Sequence, residues 1–190
     1  MKDFLREWGT VIVALLLVAV IRLFVFEPVI VNGHSMDPTL ADGQRLIITK
    51  VFNPERFDII TVAEPDDPST TAVKRLIGLP GDTVKYQDDQ LYINGKKYSE
   101  EYLSSFKQKL ADNQLTKEYA YDKYFSQRAE TATTFTNNFE TTVPKGKYFV
   151  LGDNRLVSKD SRIFGFVSED QIKGEVVLRY FPLDKMGGVH

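Results

Sequence analysis

From Gly9 to Phe26 the chain reads GTVIVALLLVAVIRLFVF, a nearly unbroken apolar run of about 18 residues that at helical rise just reaches across a hydrocarbon core. Such a run cannot be left in water along its whole length. It predicts one transmembrane helix over 9–26, preceded by a short cytoplasmic segment at 1–8. Arg22 lies near the C-terminal end of the run, where its long stem can carry the guanidinium to the headgroups, and Glu27 and Pro28 end the span. A cleavable leader is the rival reading, with Lys2 and Arg6 as its basic start and Val31-Asn32-Gly33 as a small-residue cleavage site. The run is longer than most leader cores, and cleavage there would leave a chain beginning at His34. The Lys/Arg count alone favours a cytoplasmic N-terminus, which puts the bulk of the chain outside.

Behind this segment, 43% hydrophobic and 26% charged residues in a 190-residue chain are the composition of a folded domain with a core. A net charge of −2 without a Lys/Arg block gives no pull toward nucleic acid. The sequence has no cysteine and two histidines, which removes thiol nucleophiles, disulfides and the usual zinc spacings. No metal and no cofactor is therefore expected.

After Pro28 the pattern becomes short strands separated by turn chemistry: VIVNG, RLIITKV, FDIITVAEP, TAVKRLIGLPGDTV and QLYINGKKY, then KYFVLGDN, RIFGFV and GEVVLRYFP. Pro80-Gly81 suits a turn, Asn94-Gly95 a tight hairpin, and SEDQI offers a Ser cap with Gln three residues later. Between Ser99 and Phe139 the character changes, and Tyr102, Phe106 and Leu110 recur at helical spacing. We expect a mainly β domain over 27–98 and 140–185, an inserted α+β subdomain at 99–139 and a tail at 186–190.

His34-Ser35, in NGHSMDPTL, looks like a base beside a nucleophile. If the segment is extended, successive side chains point to opposite faces and His34 cannot reach the Ser35 hydroxyl. His190 has no obvious carboxylate to orient it, so a Ser-His-Asp triad lacks a base. A serine can use a lysine instead, provided burial keeps the amine neutral. Lys74 fits, flanked by Val73, Leu76 and Ile77 with Arg75 directed to the other face; a strand lysine whose amine reaches water fits the same pattern.

Three ordered boxes carry a resemblance: SMDPTL at 35–40, VKRLIGLPGD at 73–82 and GDNRLVSKDSRIFGFV at 152–167. Together they are similar to the signature boxes of bacterial type I signal peptidases, over about Leu15 to Gly95 and Val143 to Pro182. The resemblance implies a signal-peptidase-type β-sheet or coiled β-barrel catalytic domain, anchored in the cell membrane by one helix, that removes signal peptides from exported preproteins after small residues in Ala-x-Ala-like sites. It implies Ser35 as nucleophile and Lys74 as general base, with Ser158 orienting the amine. Asp160 and Arg162 resemble a supporting ion pair, and Gly152 and Asp153 the turn before it. The Ser35 backbone N–H is the expected oxyanion donor, and Gly33, Met36 and Leu76 are expected along the substrate groove. Gly33 stands where some members carry a hydroxyl for the oxyanion hole, as in relatives from Gram-positive bacteria, and Leu156-Val157 replaces residues that are commonly polar. The expected partners are preproteins and membrane lipid.

Ser104-x-x-Lys107 matches the first motif of penicillin-recognising enzymes, but no Ser-x-Asn or Lys-Thr-Gly follows. A Ser/Lys self-cleaving repressor would need a DNA-binding segment in place of the apolar run. The alternative from another class is a non-catalytic, membrane-anchored relative acting as an assembly factor or chaperone for surface structures. Against it, a binding module has no need of a nucleophile together with a matched base.

Overall fold

The computed structural model describes residues 2–189, with side chains from Trp8 onward apart from Leu23. His190, weighed above as a base, lies outside the described residues. Helix α1 (Lys2–Phe24) leads directly into β1 (Phe26–Ile30). Its described apolar side chains, among them Val13, Leu15, Leu16, Leu17 and Val18, are exposed rather than packed into a core. Among the described residues, no helix is long and apolar enough to cross a membrane.

The rest is mainly β. Strands β2 (Arg45–Thr49), β3 (Ile59–Glu64), β4 (Asp67–Gly78), β5 (Thr83–Gln87), β6 (Gln90–Ile93) and β7 (Lys96–Tyr98) precede a helical stretch. That stretch holds α2 (Ser104–Ala111), α3 (Leu115–Glu118) and α4 (Lys123–Thr131). The chain then returns through β8 (Phe139–Thr142), β9 (Lys147–Leu151), the single turn α5 (Ser161–Phe164), β10 (Val167–Ser168) and β11 (Ile172–Phe181). Seven strands form one sheet in the order β1-β2-β11-β3-β4-β9-β10, and four form a second in the order β7-β6-β5-β8. Every pairing is antiparallel. No ladder among the described residues joins β1 to β10, so the large sheet stays open where a coiled barrel would close.

Strand β3, at the centre, is buried along its whole length, which explains its unbroken run IITVAE. It pairs with β4, Ile60 lying opposite Lys74 and Ile59 opposite Arg75. The first half of β4 is an exposed arm and the second half is core. Alternation then divides the apolar residues: Ile59 and Val73 join Met36, Leu40, Leu46 and Ile48 in one cluster, while Ile60 and Leu76 join Val62, Val150 and Val167 in another.

The turns follow local chemistry. Asn94 and Gly95 both have positive φ, as a tight hairpin turn with the sheet's twist requires. Ser168 and Gln171 close a capping box over one 3₁₀ turn. RIFGFV was expected as a strand, but its first half is α5, because the Asp160 carboxylate caps the Arg162 N–H and Gly165, at φ +84°, ends the turn.

The helical stretch has its own apolar cluster of Leu103, Phe106, Leu115, Phe125 and Phe135, with Tyr102 and Leu110 packed against it. Asp89, in the β5–β6 turn, tethers the far end by accepting the backbone N–H groups of Phe135 (2.8 Å) and Thr136 (2.6 Å).

Candidate active site

The loop between β1 and β2 carries Ser35. Strand β1 ends at Ile30, and Gly33 adopts φ +80°, its N–H donating to Asp42 Oδ1 at 2.7 Å; the chain therefore turns where an extended strand was expected. Buried Met36 and Leu40 anchor the loop in the core below. The Ser35 carbonyl accepts the Asn154 N–H at 3.0 Å, which fastens the loop to the segment after β9. The Ser35 N–H donates no hydrogen bond among the described residues.

Lys74 extends from β4 so that its Nζ lies 3.1 Å from Ser35 Oγ. The side chain is 3% exposed. Burial pulls the amine below the usual lysine range, against the opposing pull of Asp160, Glu64 and Asp153. Sequence reasoning placed Leu76 along the groove, but it is fully buried in the neighbouring core cluster. It shares a strand face with Lys74, one pleat further into the sheet and away from the opening.

The segment Gly152 to Arg162 packs against the Ser35 loop as a supporting wall. A Cβ on Gly152 would lie 2.1 Å from Ser158 Oγ, 2.5 Å from Ser158 Cβ and 2.5 Å from the Ser35 carbonyl, so only glycine admits this approach. Asp160 accepts from the Gly152 N–H at 3.1 Å and pairs with Arg162 through both oxygens, at 2.8 and 2.7 Å. Ser158 is buried, but its hydroxyl makes no hydrogen bond among the described residues. The expected bond from Ser158 to the lysine amine is therefore not formed; the hydroxyl lies against Gly152 instead.

Two buried ion pairs underlie this wall, and sequence reasoning missed both. Arg75, on the face of β4 opposite Lys74, donates to both oxygens of Asp153 at 2.9 and 2.8 Å, and both residues are almost wholly buried. Arg155 donates to Glu100 at 2.6 Å and to the Tyr86 hydroxyl at 2.6 Å. Burial pushes the Glu100 carboxyl up, but Arg155 and Lys107 outweigh it and hold the pKa at about 2. Lys107, the lysine of the Ser-x-x-Lys match, is thus tied into a structural network and also donates to the Asp89 carbonyl.

Beside Ser35 lies a groove of about 810 Å³ lined by Val29 to Met36, by Thr70 to Lys74, and by Tyr121, Tyr124 and Phe125 of the helical stretch. Gly33 and Met36 are among its lining residues. His34 does not approach the hydroxyl of its neighbour. Its Nδ1 lies 3.0 Å from Asp37 Oδ2, and its ring stacks on Tyr121 with centroids 3.7 Å apart and planes 12° from parallel.

A buried lysine amine 3.1 Å from a serine hydroxyl, beside a groove, is an arrangement compatible with serine-hydrolase chemistry. The family model for signal peptidase, peptidase S26, matches residues 5–181. The chain is 42% identical to signal peptidase I of Streptococcus pneumoniae strain R6, over 98% of this chain and 97% of that one. It is 46% identical to signal peptidase I of Bacillus caldolyticus, over 93% and 91% of the two chains. Among solved structures, a signal peptidase I from Enterococcus faecalis V583 superposes with a TM-score of 0.52 at 41% identity, over 66% of this chain and 97% of that one. The chain belongs to the signal peptidase family, peptidase S26, and is a serine peptidase.

Proposed function

We propose that this protein is a membrane-bound endopeptidase that removes N-terminal signal peptides from exported preproteins, with Ser35 as nucleophile and Lys74 as general base. The observation that carries the reading is the buried Lys74 amine 3.1 Å from the Ser35 hydroxyl. Neutral Lys74 takes the hydroxyl proton as Oγ attacks the scissile carbonyl; the resulting ammonium then protonates the leaving amine of the mature chain. Lys74, neutral again, deprotonates the water that hydrolyses the acyl-enzyme. The uncommitted Ser35 N–H is one donor for the oxyanion formed in both steps. Asp153, Asp160 and Arg162 support the wall that fixes Lys74 and Ser35, and buried Ser158 stands next to them.

The groove favours an extended peptide laid along the exposed arm of β4, with small residues such as those of an Ala-x-Ala-like site before the cut. The exposed apolar side chains of α1 support anchoring by that helix, N-terminus in the cytoplasm and catalytic domain outside. Anchoring raises the effective concentration of a substrate that is itself held in the membrane. The reading is tested by incubating a signal-peptide-bearing preprotein in lipid with the full-length protein and with Ser35→Ala, sequencing the new N-terminus. A single cut after a small residue by the parent, absent with Ser35→Ala, is expected. No cut by the parent, or an undiminished one by Ser35→Ala, would overturn the reading.

A further inference from the structure

His34 and Tyr121 come from distant parts of the chain and meet next to the reactive serine. The rings stack with centroids 3.7 Å apart and planes 12° from parallel. The stack is held from both sides. On the loop side the imidazole is fixed by Asp37, whose side chain is 6% exposed. On the far side Tyr121 packs edge-on against buried Phe125 at 4.7 Å and tilted against Tyr119 at 5.8 Å. The Tyr121 hydroxyl is buried toward Asp37 but makes no hydrogen bond of good geometry, so the contact rests on the ring faces. His34 adjoins Ser35 in the chain, and its carbonyl accepts the Asp37 N–H, so fixing the His34 ring fixes the peptide unit that carries the reactive serine.

The other restraints on this loop come from different parts of the chain. Asn154 holds the Ser35 carbonyl, and Met36 and Leu40 are sunk in the core. On the groove side Gly33 has positive φ and open space around its Cα, and the ring that stacks on His34 there is supplied by the helical stretch, through Tyr121.

We infer that Tyr121 is a positioning residue for Ser35, acting through its stack on His34, so that the helical stretch closes the reactive loop from the groove side. This rests on the reading of Ser35 as nucleophile. The latch restricts where the hydroxyl points, so although both rings also line the groove its loss acts on kcat more than on KM.

The test is steady-state cleavage of a preprotein in lipid by full-length Tyr121→Leu, Tyr121→Phe, His34→Ala and the double variant H34A/Y121L, with Ser35→Ala alongside and thermal melts of each. Tyr121→Leu and His34→Ala should each lower kcat about 3- to 10-fold, the range one aromatic pair can supply, with KM within about twofold. The double variant should be no slower than the slower single one, since both remove one contact. Tyr121→Phe should recover most of the rate, because the ring remains. Unchanged kcat in both single variants, fully multiplicative losses, or a raised KM at constant kcat would overturn the inference; the last would make Tyr121 a wall for substrate. If Tyr121→Leu fails to fold, His34→Ala and Tyr121→Phe still decide. Cleavage surviving in Ser35→Ala would remove the underlying reading of the nucleophile. Ser35→Ala inactive with parent-like kcat in the Tyr121 and His34 variants would remove the latch alone.

Discussion

Replacing Gly152 by alanine adds one methyl group at the closest approach in the site. The new carbon would sit 2.1 and 2.5 Å from Ser158 Oγ and Cβ and 2.5 Å from the Ser35 carbonyl oxygen, where ordinary contact begins at 3.4 Å. Rotating the Ser158 hydroxyl away removes only the first of these clashes. The second involves the root of a buried side chain and the third the backbone of the reactive serine, so the two walls must part by about 1 Å. Overpacking of this kind costs about 1–3 kcal/mol. For a domain of this size that is a loss of about 2–4 °C in melting temperature per kcal/mol. The larger effect is on rate: a displacement of about 1 Å between serine and base costs about 100-fold. Gly81→Ala is the control, since Gly81 has φ +91° and open space in a turn beyond the end of β4. It should lose about 1 kcal/mol of stability through backbone strain and keep its cleavage rate. Cleavage kinetics on a preprotein, with thermal melts of the same samples, measure both quantities. Gly152→Ala cleaving within about threefold of the parent would refute the claim that this glycine sets the spacing of serine and lysine.

Three further outcomes are expected. Lys74→Met should abolish cleavage while raising the melting temperature. Because burial lowers the folded pKa of Lys74, the unfolded chain gains a proton that the folded one sheds between the two pKa values; the parent weakens as pH falls through that window, so the gain from Met should grow toward lower pH in urea titrations. Asp153→Asn strands the buried Arg75 charge and should cost about 3–5 kcal/mol, about 6–20 °C in melting temperature, while Arg75→Met combined with Asp153→Leu should recover much of it. Glu100, held at about 2 against an ordinary 4.5, contributes about 3 kcal/mol above pH 4.5 that is lost as pH falls toward 2; the stability difference between the parent and Glu100→Gln should shrink over that interval.

What was legible in the sequence was local. The antiparallel strands, the Asn94-Gly95 hairpin and the Ser168 cap follow from alternation and turn chemistry that act within a few residues. Alternation also separates the faces of β4, and the structure has Lys74 meeting Ser35 and Arg75 meeting Asp153 on opposite sides. What stayed hidden is long-range. Nothing local marks Arg75 as the partner of a carboxylate 78 residues away, Glu100 as the counter-ion of Arg155, or Tyr121 as the cover of His34. RIFGFV reads as a strand because its apolar residues suit one; a capping carboxylate just before it and a positive-φ glycine inside it override that propensity. Leu76 was misplaced because alternation gives the face of a strand but not the depth along it.

The most direct measurement is the pH dependence of the single-turnover rate at which a preprotein is cut, for the parent and for Lys74→Arg. With a buried, depressed lysine as base, the parent rate should rise with pH along a single ionisation below the ordinary lysine range and then level, and Lys74→Arg, which cannot shed its proton, should be inactive at every pH. A flat profile from acid to alkaline pH with chemistry limiting, or a Lys74→Arg enzyme that keeps the parent's rate and profile, would contradict the assignment of Lys74 as the base for Ser35.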